Sequence, residues 1–419
     1  MSNAPHITFS WPVESISAML QAIGISGLGP LNERQSLTRW PQHEQWADYV
    51  DRLAAANRYL LSTEEREAID AVLTHAVRLG ASDLLLIAGT PVMLRVAGTL
   101  SHSTGAPLTA ESTRNLLVSL MTQQQYRDFQ RVKSVDFCFS REGIGRFRAN
   151  VHHQRGTIAG SVRILPDKMP TLESLHLPPG LKRLAEARQG LVLVTGPTGC
   201  GKSSTLAALV DLINTNRQDH VVTIEDPVEF VHSNRRSIVE QIEIGEDAPD
   251  FAGSLRSILR QNPDVILVGE MRDAETISTV LTAAETGHLV LSTLHTNDTS
   301  QAVGRILDAF PQNSQHQIRQ QLSLALLAIV AQQLVPAAHA SQGQPARYPV
   351  TEILMATSGV RHLIRRGDDH QIYSAVSTGR ADGMISMEQS LAEMVRTGKI
   401  QREAAMSHCF RTEDLLRYL

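Results

Sequence analysis

The sequence predicts an α/β protein with an N-terminal mixed α/β domain followed by a domain built on a parallel sheet. Three observations support this prediction. The chain has 419 residues, which is too long for one compact core. Short alternating segments before about residue 166 are typical of a half-buried antiparallel sheet. From about residue 181 onward, apolar strands alternate with helical segments, which indicates a parallel sheet covered on both faces.

The same patterns divide the chain into five parts: an extension of unknown role, a mixed α/β domain, a proline-rich linker, the parallel-sheet domain and a C-terminal helical segment. Their bounds are residues 1–66, 67–166, 167–180, 181–357 and 358–419. The mixed domain begins with a segment whose apolar residues recur at three- and four-residue spacing, which is typical of a helix that ends at Gly80. The extension holds Trp11, Trp40 and Trp46. Two interpretations of these tryptophans stay open, an anchor for a partner and a small extra core.

Composition excludes several classes of protein. Hydrophobic residues make up 42% and charged residues 20% of the chain, which is typical of a globular protein. The net charge of −4 lacks the basic field of a nucleic-acid binder, so we expect no nucleic-acid partner. Cys138, Cys200 and Cys409 lie far apart without a CxxC pair. This spacing predicts neither a zinc site nor a disulfide framework, and it suits the cytoplasm.

Two further patterns concern the membrane. The first residues lack the basic segment followed by an apolar run that marks a secretory signal. The most apolar stretch, residues 322–330, is too short to cross a bilayer. We therefore expect a cytoplasmic protein that reaches a membrane through a partner or its surface.

A phosphate-binding pattern follows the first strand of the second domain. The strand GLVLVTG runs into PTGCGKSSTL, and residues 196–203 fit GxxxxGK[ST]. The glycines let backbone N–H groups turn inward around a polyphosphate, and the N-terminus of the next helix adds partial positive charge. Lys202 supplies a charge to the β- and γ-phosphates, and Ser203 supplies a hydroxyl to Mg²⁺. The predicted binding residues are Gly196, Pro197, Thr198, Gly199, Cys200, Gly201, Lys202, Ser203 and Ser204.

Such a loop also needs carboxylates near the metal and near the attacking water. In VVTIEDPVEFVH, a β-branched strand has Glu225, Asp226 and Glu229 at its end. The strand in NPDVILVGEMRD ends on Glu270. Doubly wound sheets place ligand groups beyond the carboxyl ends of their strands. We therefore interpret these carboxylates as catalytic machinery rather than as solvated loop charges.

Four ordered segments carry a family resemblance, which extends from about residue 67 onward. They are GPTGCGKSSTL, TIEDPVEFVH, ILVGEMRDAETISTVLTAAETGHLVLSTLHT and GRILDAFP. In this order they resemble the Walker A, Asp box, Walker B and His box of the secretion and type IV pilus ATPases. The segment ASDLLLIAGTPVMLRVAG is similar to the family's N-terminal strand pair, with Leu85 where histidine is usual. The resemblance implies a PAS-like N-terminal domain, a RecA-like P-loop NTPase domain, and ATP with Mg²⁺.

The resemblance also implies roles for single residues. Glu229 matches a general base that orients the lytic water, and Glu270 matches the Walker B glutamate near Mg²⁺. His288 and His295 match the His-box histidines, which link nucleotide state to domain position. Arg148 in GRFRAN matches a strand that faces the neighbouring subunit's site, where it would stabilise the transition state.

Two assignments leave alternatives open, the transition-state cation and the role of Cys200. Arg146, Arg272 and Arg305 are further candidates for the transition-state cation. Cys200 stands where the family usually has serine. That position contributes mainly its backbone N–H, so we expect nucleotide binding to survive. The thiol is interpreted either as an inert filler or as a site sensitive to alkylation.

The C-terminal part favours one branch of the family. Pilus-extension and type II secretion members usually carry a tetracysteine zinc loop, whereas the corresponding stretch here has no cysteine, so we expect no zinc. Retraction motors of the PilT type carry an AIRNLIRE-like helix, and GVRHLIRRG is similar to it. It departs at His362 and Arg366, where the family has asparagine and glutamate.

These resemblances imply a homohexameric ATPase that drives type IV pilus retraction, bound at the inner membrane through a platform protein. Two alternatives stay open. The first is a motor for pilus assembly, secretion or DNA uptake, and the second is a nucleotide-binding regulator with little turnover. The sequence shows no basic stripe with interleaved aromatic residues that would favour a DNA translocase.

Overall fold

The computed structural model describes residues 63–96, 98–103, 105–166, 168–339 and 346–419. The chain divides into two compact units, Met1–Asp167 and Lys168–Leu419. The predicted extension lies outside the described residues, except that the backbone of its last four residues begins the first helix. The roles considered for its three tryptophans therefore stay open.

The first unit is a six-stranded antiparallel sheet packed against helices. Its helices are α1 (Thr63–Arg78), α2 (Ala110–Val118) and α3 (Gln123–Val132). Its strands are β1 (Ala81–Ile87), β2 (Met93–Val96), β3 (Thr99–His102), β4 (Ser134–Arg141), β5 (Gly145–Gln154) and β6 (Thr157–Leu165), in the spatial order β3-β2-β1-β6-β5-β4. Alternate strand residues such as Leu84, Phe147 and Val162 are buried in a core shared with the helices. This is the half-buried sheet that the alternating pattern predicts.

The second unit is a seven-stranded sheet in the spatial order β13-β12-β7-β11-β10-β8-β9. Its strands are β7 (Gly190–Thr195), β8 (His220–Glu225), β9 (Ile238–Glu243), β10 (Val265–Val268), β11 (Leu289–Leu294), β12 (Leu326–Pro336) and β13 (Arg347–Met355). Neighbouring strands are parallel, except that β13 runs antiparallel to β12.

Helices connect these strands and complete the C-terminal part. They are α4 (Lys182–Glu186), α5 (Lys202–Asn216), α6 (Phe251–Ile258), α7 (Ala274–Glu285), α8 (Thr299–Asp308), α9 (Gln312–Ala325), α10 (Ser358–Arg366), α11 (Ile372–Thr378), α12 (Met387–Arg396), α13 (Arg402–His408) and α14 (Thr412–Tyr418). No helix among the described residues is both long enough and apolar enough to span a membrane.

Each face of the second sheet carries its own core. On β7, Leu191 and Leu193 belong to one cluster of buried side chains, whereas Val192 and Val194 belong to the cluster on the other face. Successive strand residues point to opposite faces, so a strand covered on both sides must be apolar throughout. The predicted α/β class is therefore confirmed.

The segment predicted as a linker adds to one of these cores. Leu172 and Leu177 are buried in the cluster that also holds Val192 of β7 and Leu209 of α5. The prolines indicate correctly that no long helix or strand forms here. The prolines do not indicate that the two leucines are buried in the core of the second unit.

Candidate active site

The phosphate-binding loop joins β7 to α5 at the carboxyl edge of the sheet. Gly201, with a φ of 92°, is the N-cap of α5, and it supplies no side-chain cap to the first-turn N–H groups. At Gly196, with a φ of 144°, an added Cβ would lie 2.1 Å from the carbonyl oxygen of Gln332. The loop therefore has an uncapped helix N-terminus and a backbone that only glycine fits at its start. Both features suit a bound polyphosphate.

Lys202 is folded back onto the loop. Its side chain is buried, and Nζ donates to the carbonyl oxygens of Gly196 at 2.8 Å and Pro197 at 3.2 Å. Burial lowers the pKa of Lys202, while Cys200, Glu270 and Glu229 act in the opposite direction. The cation is thus held beside the loop, within electrostatic reach of two of the predicted catalytic carboxylates.

Strand β9 holds the segment that carries Glu229. Glu243 accepts a hydrogen bond at Oε2 from the backbone N–H of Val228 at 3.1 Å. Gln241 donates from Nε2 to the carbonyl oxygen of Phe230 at 2.9 Å. The two residues beside Glu229 in the chain are therefore both tied to β9, which leaves the half-buried Glu229 on a braced loop.

Glu225, at the end of β8, belongs to the same bracing network. Its Oε1 accepts from the hydroxyl of Thr223 at 2.7 Å and from Nε2 of Gln241 at 3.2 Å. A carboxylate engaged in this way positions the loop and is a weaker candidate for a proton acceptor than Glu229.

Glu270 lies just beyond β10, between two partners. Its Oε2 accepts from Nε of Arg272 at 2.8 Å, and its Oε1 lies 3.3 Å from Nε2 of His295. The hydroxyl of Thr293 on β11 donates to the carbonyl oxygen of Gly269 at 2.6 Å, which ties the ends of the two strands together. Lys202, Glu229, Glu270 and His295 therefore gather at one edge of the sheet, as expected for groups at the carboxyl ends of parallel strands.

His288 lies at the opposite edge of the sheet. It immediately precedes β11, whereas His295 immediately follows it. A six-residue strand spans about 20 Å, so the two histidines cannot meet within one chain. The Nδ1 of His288 lies 2.9 Å from the carbonyl oxygen of Ala283, at the end of α7. The structure thus places His295, but not His288, beside Glu270, and a role for His288 stays a prediction.

Arg148 belongs to the first unit. It lies on β5 between the fully buried Phe147 and Ala149, so its side chain points away from the core. Across the sheet it is in register with Arg163 of β6 and Cys138 of β4. Arg148 therefore lies on the face of the sheet opposite the buried core of the first unit, and its action on a neighbouring subunit stays a prediction.

Cys200 is buried inside the loop. Burial raises the pKa of its thiol, and the nearby Lys202 opposes this only in part. A thiol that stays protonated is a poor nucleophile, so these surroundings favour the interpretation of Cys200 as an inert filler.

The residues present fit ATP with Mg²⁺. Oxygen ligands suit this cation, and the hydroxyl of Ser203 in the first turn of α5 and the carboxylate of Glu270 are the predicted ligands. Thr198, Gly199 and Ser204 complete the predicted cradle around the helix N-terminus. The sequence motifs did not identify Gln241, Glu243 and Gln332, which hold the loops through contacts between distant segments. The adjacent glutamines Gln332 and Gln333 interrupt the apolar strand LLAIVAQQLVP, and this is the signal that could have found one of them.

Comparison with known proteins gives several matches. A model of type II/IV secretion system proteins matches residues 172–413. The type IV pilus retraction ATPase PilT of Pseudomonas aeruginosa is 41% identical over 337 residues, which cover 80% of this chain and 96% of that protein. A twitching motility protein of Neisseria gonorrhoeae is 42% identical over 342 residues, 82% of this chain and 90% of that protein. A crystal structure of the pilus retraction motor PilT with bound ADP has a TM-score of 0.77 at 42% identity, and covers 83% of this chain and 99% of that one.

Proposed function

The chain belongs to the type II/IV secretion system protein family, and we propose that it is a homohexameric ATPase that couples ATP hydrolysis to type IV pilus retraction. The observation that supports this most is the gathering of Lys202, Glu270 and His295 at one edge of the sheet, beside an uncapped helix N-terminus. The resemblance of GVRHLIRRG to the retraction-type helix and the likeness to a retraction ATPase over 80% of the chain favour this branch.

The residues divide the chemical work among them. Backbone N–H groups of the loop and the Nζ of Lys202 bind the phosphates and take up negative charge that develops during transfer. Glu229 orients the attacking water and accepts its proton at a carboxylate oxygen. Ser203 and Glu270 would hold Mg²⁺, which supplies further positive charge to the phosphates when bound. His295, next to Glu270, changes its hydrogen bonds as the γ-phosphate is lost.

In a closed ring, the cation that stabilises the transition state can come from a neighbouring subunit. Arg148 lies in the first unit of each chain, and a neighbouring subunit in a closed ring would supply it to the nucleotide. Rotation of the subunits upon product release would act on a platform protein in the inner membrane, to which the ring is peripherally bound.

Steady-state ATPase activity tests the catalytic assignment. We expect Lys202→Ala to abolish nucleotide binding. We expect Glu229→Gln to keep it and to lower kcat by about 100-fold or more, because removal of a general base costs about 10²- to 10⁴-fold. Glu246→Gln, at an exposed glutamate after β9, is the matched control and should leave kcat unchanged. A wild-type protein that binds ATP without turnover would instead support the regulator interpretation.

Counts of surface pili by electron microscopy in the host test the direction of force. A deletion strain and a Lys202→Ala strain should both carry excess pili and lose surface motility, and the wild-type gene should restore both properties. Bald cells in the two mutant strains would show that the ATPase powers assembly, and would contradict the retraction proposal.

A further inference from the structure

A buried glutamine outside the sequence motifs forms hydrogen bonds with the phosphate-binding loop and with the helix that follows it. Gln332 lies on β12, which pairs with β7, the strand that leads into the loop. Its side chain is 3% exposed. Its Nε2 donates to the carbonyl oxygen of Cys200 at 2.6 Å, and its Oε1 accepts from the hydroxyl of Thr205 at 2.8 Å. A carbonyl oxygen can only accept, so the nitrogen of the amide must face Cys200.

The same residue bounds the loop at both ends. Its carbonyl oxygen approaches Gly196 so closely that an added Cβ there would lie 2.1 Å away. Its Nε2 would lie 3.0 Å from a Cβ added at Gly201. Through Thr205 it also contacts the first turns of α5. One side chain and its backbone therefore fix the start of the loop, its last peptide and the helix that follows.

The bond to Cys200 has a directional consequence. The carbonyl of Cys200 and the N–H of Gly201 belong to one planar, trans peptide unit, in which the two groups point in opposite directions. A carbonyl oxygen held toward β12 therefore turns the Gly201 N–H away from β12. This N–H stands at the N-cap of α5, where the helix has no side-chain cap.

We propose that Gln332 is a positioning residue that presets the Gly201 N–H for phosphate binding. Its role is indirect, because it acts through the Cys200–Gly201 peptide. Without it, the peptide is free to rotate, and a donor of the phosphate cradle is lost from its place. The proposal rests on the proposed ATPase function and adds a residue that none of the four motifs contains.

Gln332→Met is the variant that tests this role. Methionine is close to glutamine in length and flexibility, and it removes both hydrogen bonds without a large cavity. We expect the affinity for a fluorescent N-methylanthraniloyl derivative of ADP to fall by about 10-fold and the KM for ATP to rise by about 10-fold. This is the effect expected when one buried hydrogen-bonding side chain is lost. We expect kcat to change less than KM, because the phosphates are held in the ground state and in the transition state alike.

The neighbouring residue on β12 provides a matched control. Gln333 donates from Nε2 to the carbonyl oxygen of His408 at 2.9 Å, away from the loop. Gln333→Met removes a partly buried hydrogen bond from the same strand and should leave KM and the ADP affinity unchanged. A defect that merely lowers the folded fraction decreases the apparent kcat and leaves KM unchanged, so the two roles separate.

Three results would overturn the proposal: normal ADP affinity in Gln332→Met, an equal loss in Gln333→Met, or a fall in kcat alone. If Gln332→Met does not fold, Thr205→Val removes one of the two anchors of the amide while β12 stays intact. It should weaken ADP binding by about threefold, and wild-type affinity in this variant would equally contradict the role. A wild-type protein that neither binds nor hydrolyses nucleotide would refute the proposed function itself.

Discussion

Glu352, a buried carboxylate on β13, joins the N-termini of two helices. It is 3% exposed. Its Oε1 accepts from the backbone N–H of Thr299 at 2.9 Å and from the Thr299 hydroxyl at 2.7 Å, at the start of α8. Its Oε2 accepts from the backbone N–H of Met387 at 3.3 Å, at the start of α12. Because α8 begins four residues after His295, this carboxylate links the active-site edge to the C-terminal helices. We expect Glu352→Gln to destabilise the second unit.

The size of the stability loss in Glu352→Gln follows from the number of hydrogen-bond donors around the carboxyl group. Glutamine keeps the shape of Glu352, but its NH₂ group carries two N–H donors where the protonated carboxyl carries one O–H, so one more buried donor faces Thr299 or Met387. An unsatisfied buried donor costs about 1–3 kcal/mol. Burial raises the pKa of Glu352, so the wild type has its full advantage over glutamine near pH 4.5 and loses part of it when the carboxyl ionises at higher pH. A net loss of about 1 kcal/mol would lower the Tm by about 2–4 °C in a unit of this size.

The effect depends on pH with a defined sign. The hydrogen bonds from Thr299 and Met387 oppose the rise in the pKa of Glu352 but do not cancel it. The folded protein therefore holds a proton at pH values just above 4.5, where the unfolded chain has released it. Stability contributed by this group is present below 4.5 and is lost as the pH rises through the raised pKa. Glutamine does not titrate, so the difference in Tm between wild type and Glu352→Gln should narrow as the pH rises.

Scanning calorimetry of the full chain between pH 4.5 and 8 measures both effects. Glu403→Gln, at an exposed glutamate of α13, controls for the loss of one negative charge and should leave the Tm unchanged. A difference that widens with rising pH would refute the reasoning, because it would show that the hydrogen bonds outweigh burial. An unchanged Tm in Glu352→Gln at pH 4.5 would refute the joint capping of α8 and α12.

Two further predictions concern buried groups of the second unit. Burial lowers the pKa of His232 to about 4, so the stability that depends on its neutral form should be complete above pH 6.5 and decline as the pH falls toward 4; calorimetry of His232→Gln should show a flatter profile over that range. Cys200 should resist iodoacetamide while the half-buried Cys138 and Cys409 react, because it is buried and its pKa is raised; peptide mass spectrometry measures the modification of each, and early labelling of Cys200 would contradict this.

Many residues of the candidate site could be proposed from local sequence, because the motifs that contain them are local. A glycine-rich loop between a strand and a helix positions Lys202 and Ser203 through the backbone of neighbouring residues. Glu270 follows directly from the end of an apolar strand, and parallel strands bring such ends to one edge. The predicted α/β fold and the resemblance to the secretion and pilus ATPases were both confirmed, since periodicity and ordered motifs are properties of the sequence itself.

What holds these groups in place was decided by the tertiary structure. Gln332 lies 132 positions from the Cys200 carbonyl that it binds, and Glu352 lies 53 positions from Thr299. No local pattern encodes such pairs, because they depend on which strands become neighbours in the sheet. The separation of His288 from His295 has the same origin: one motif contains both histidines, but a strand between them carries them to opposite edges. The sequence by itself determined the candidate groups for the chemistry, and the order of the strands decided which side chains support them.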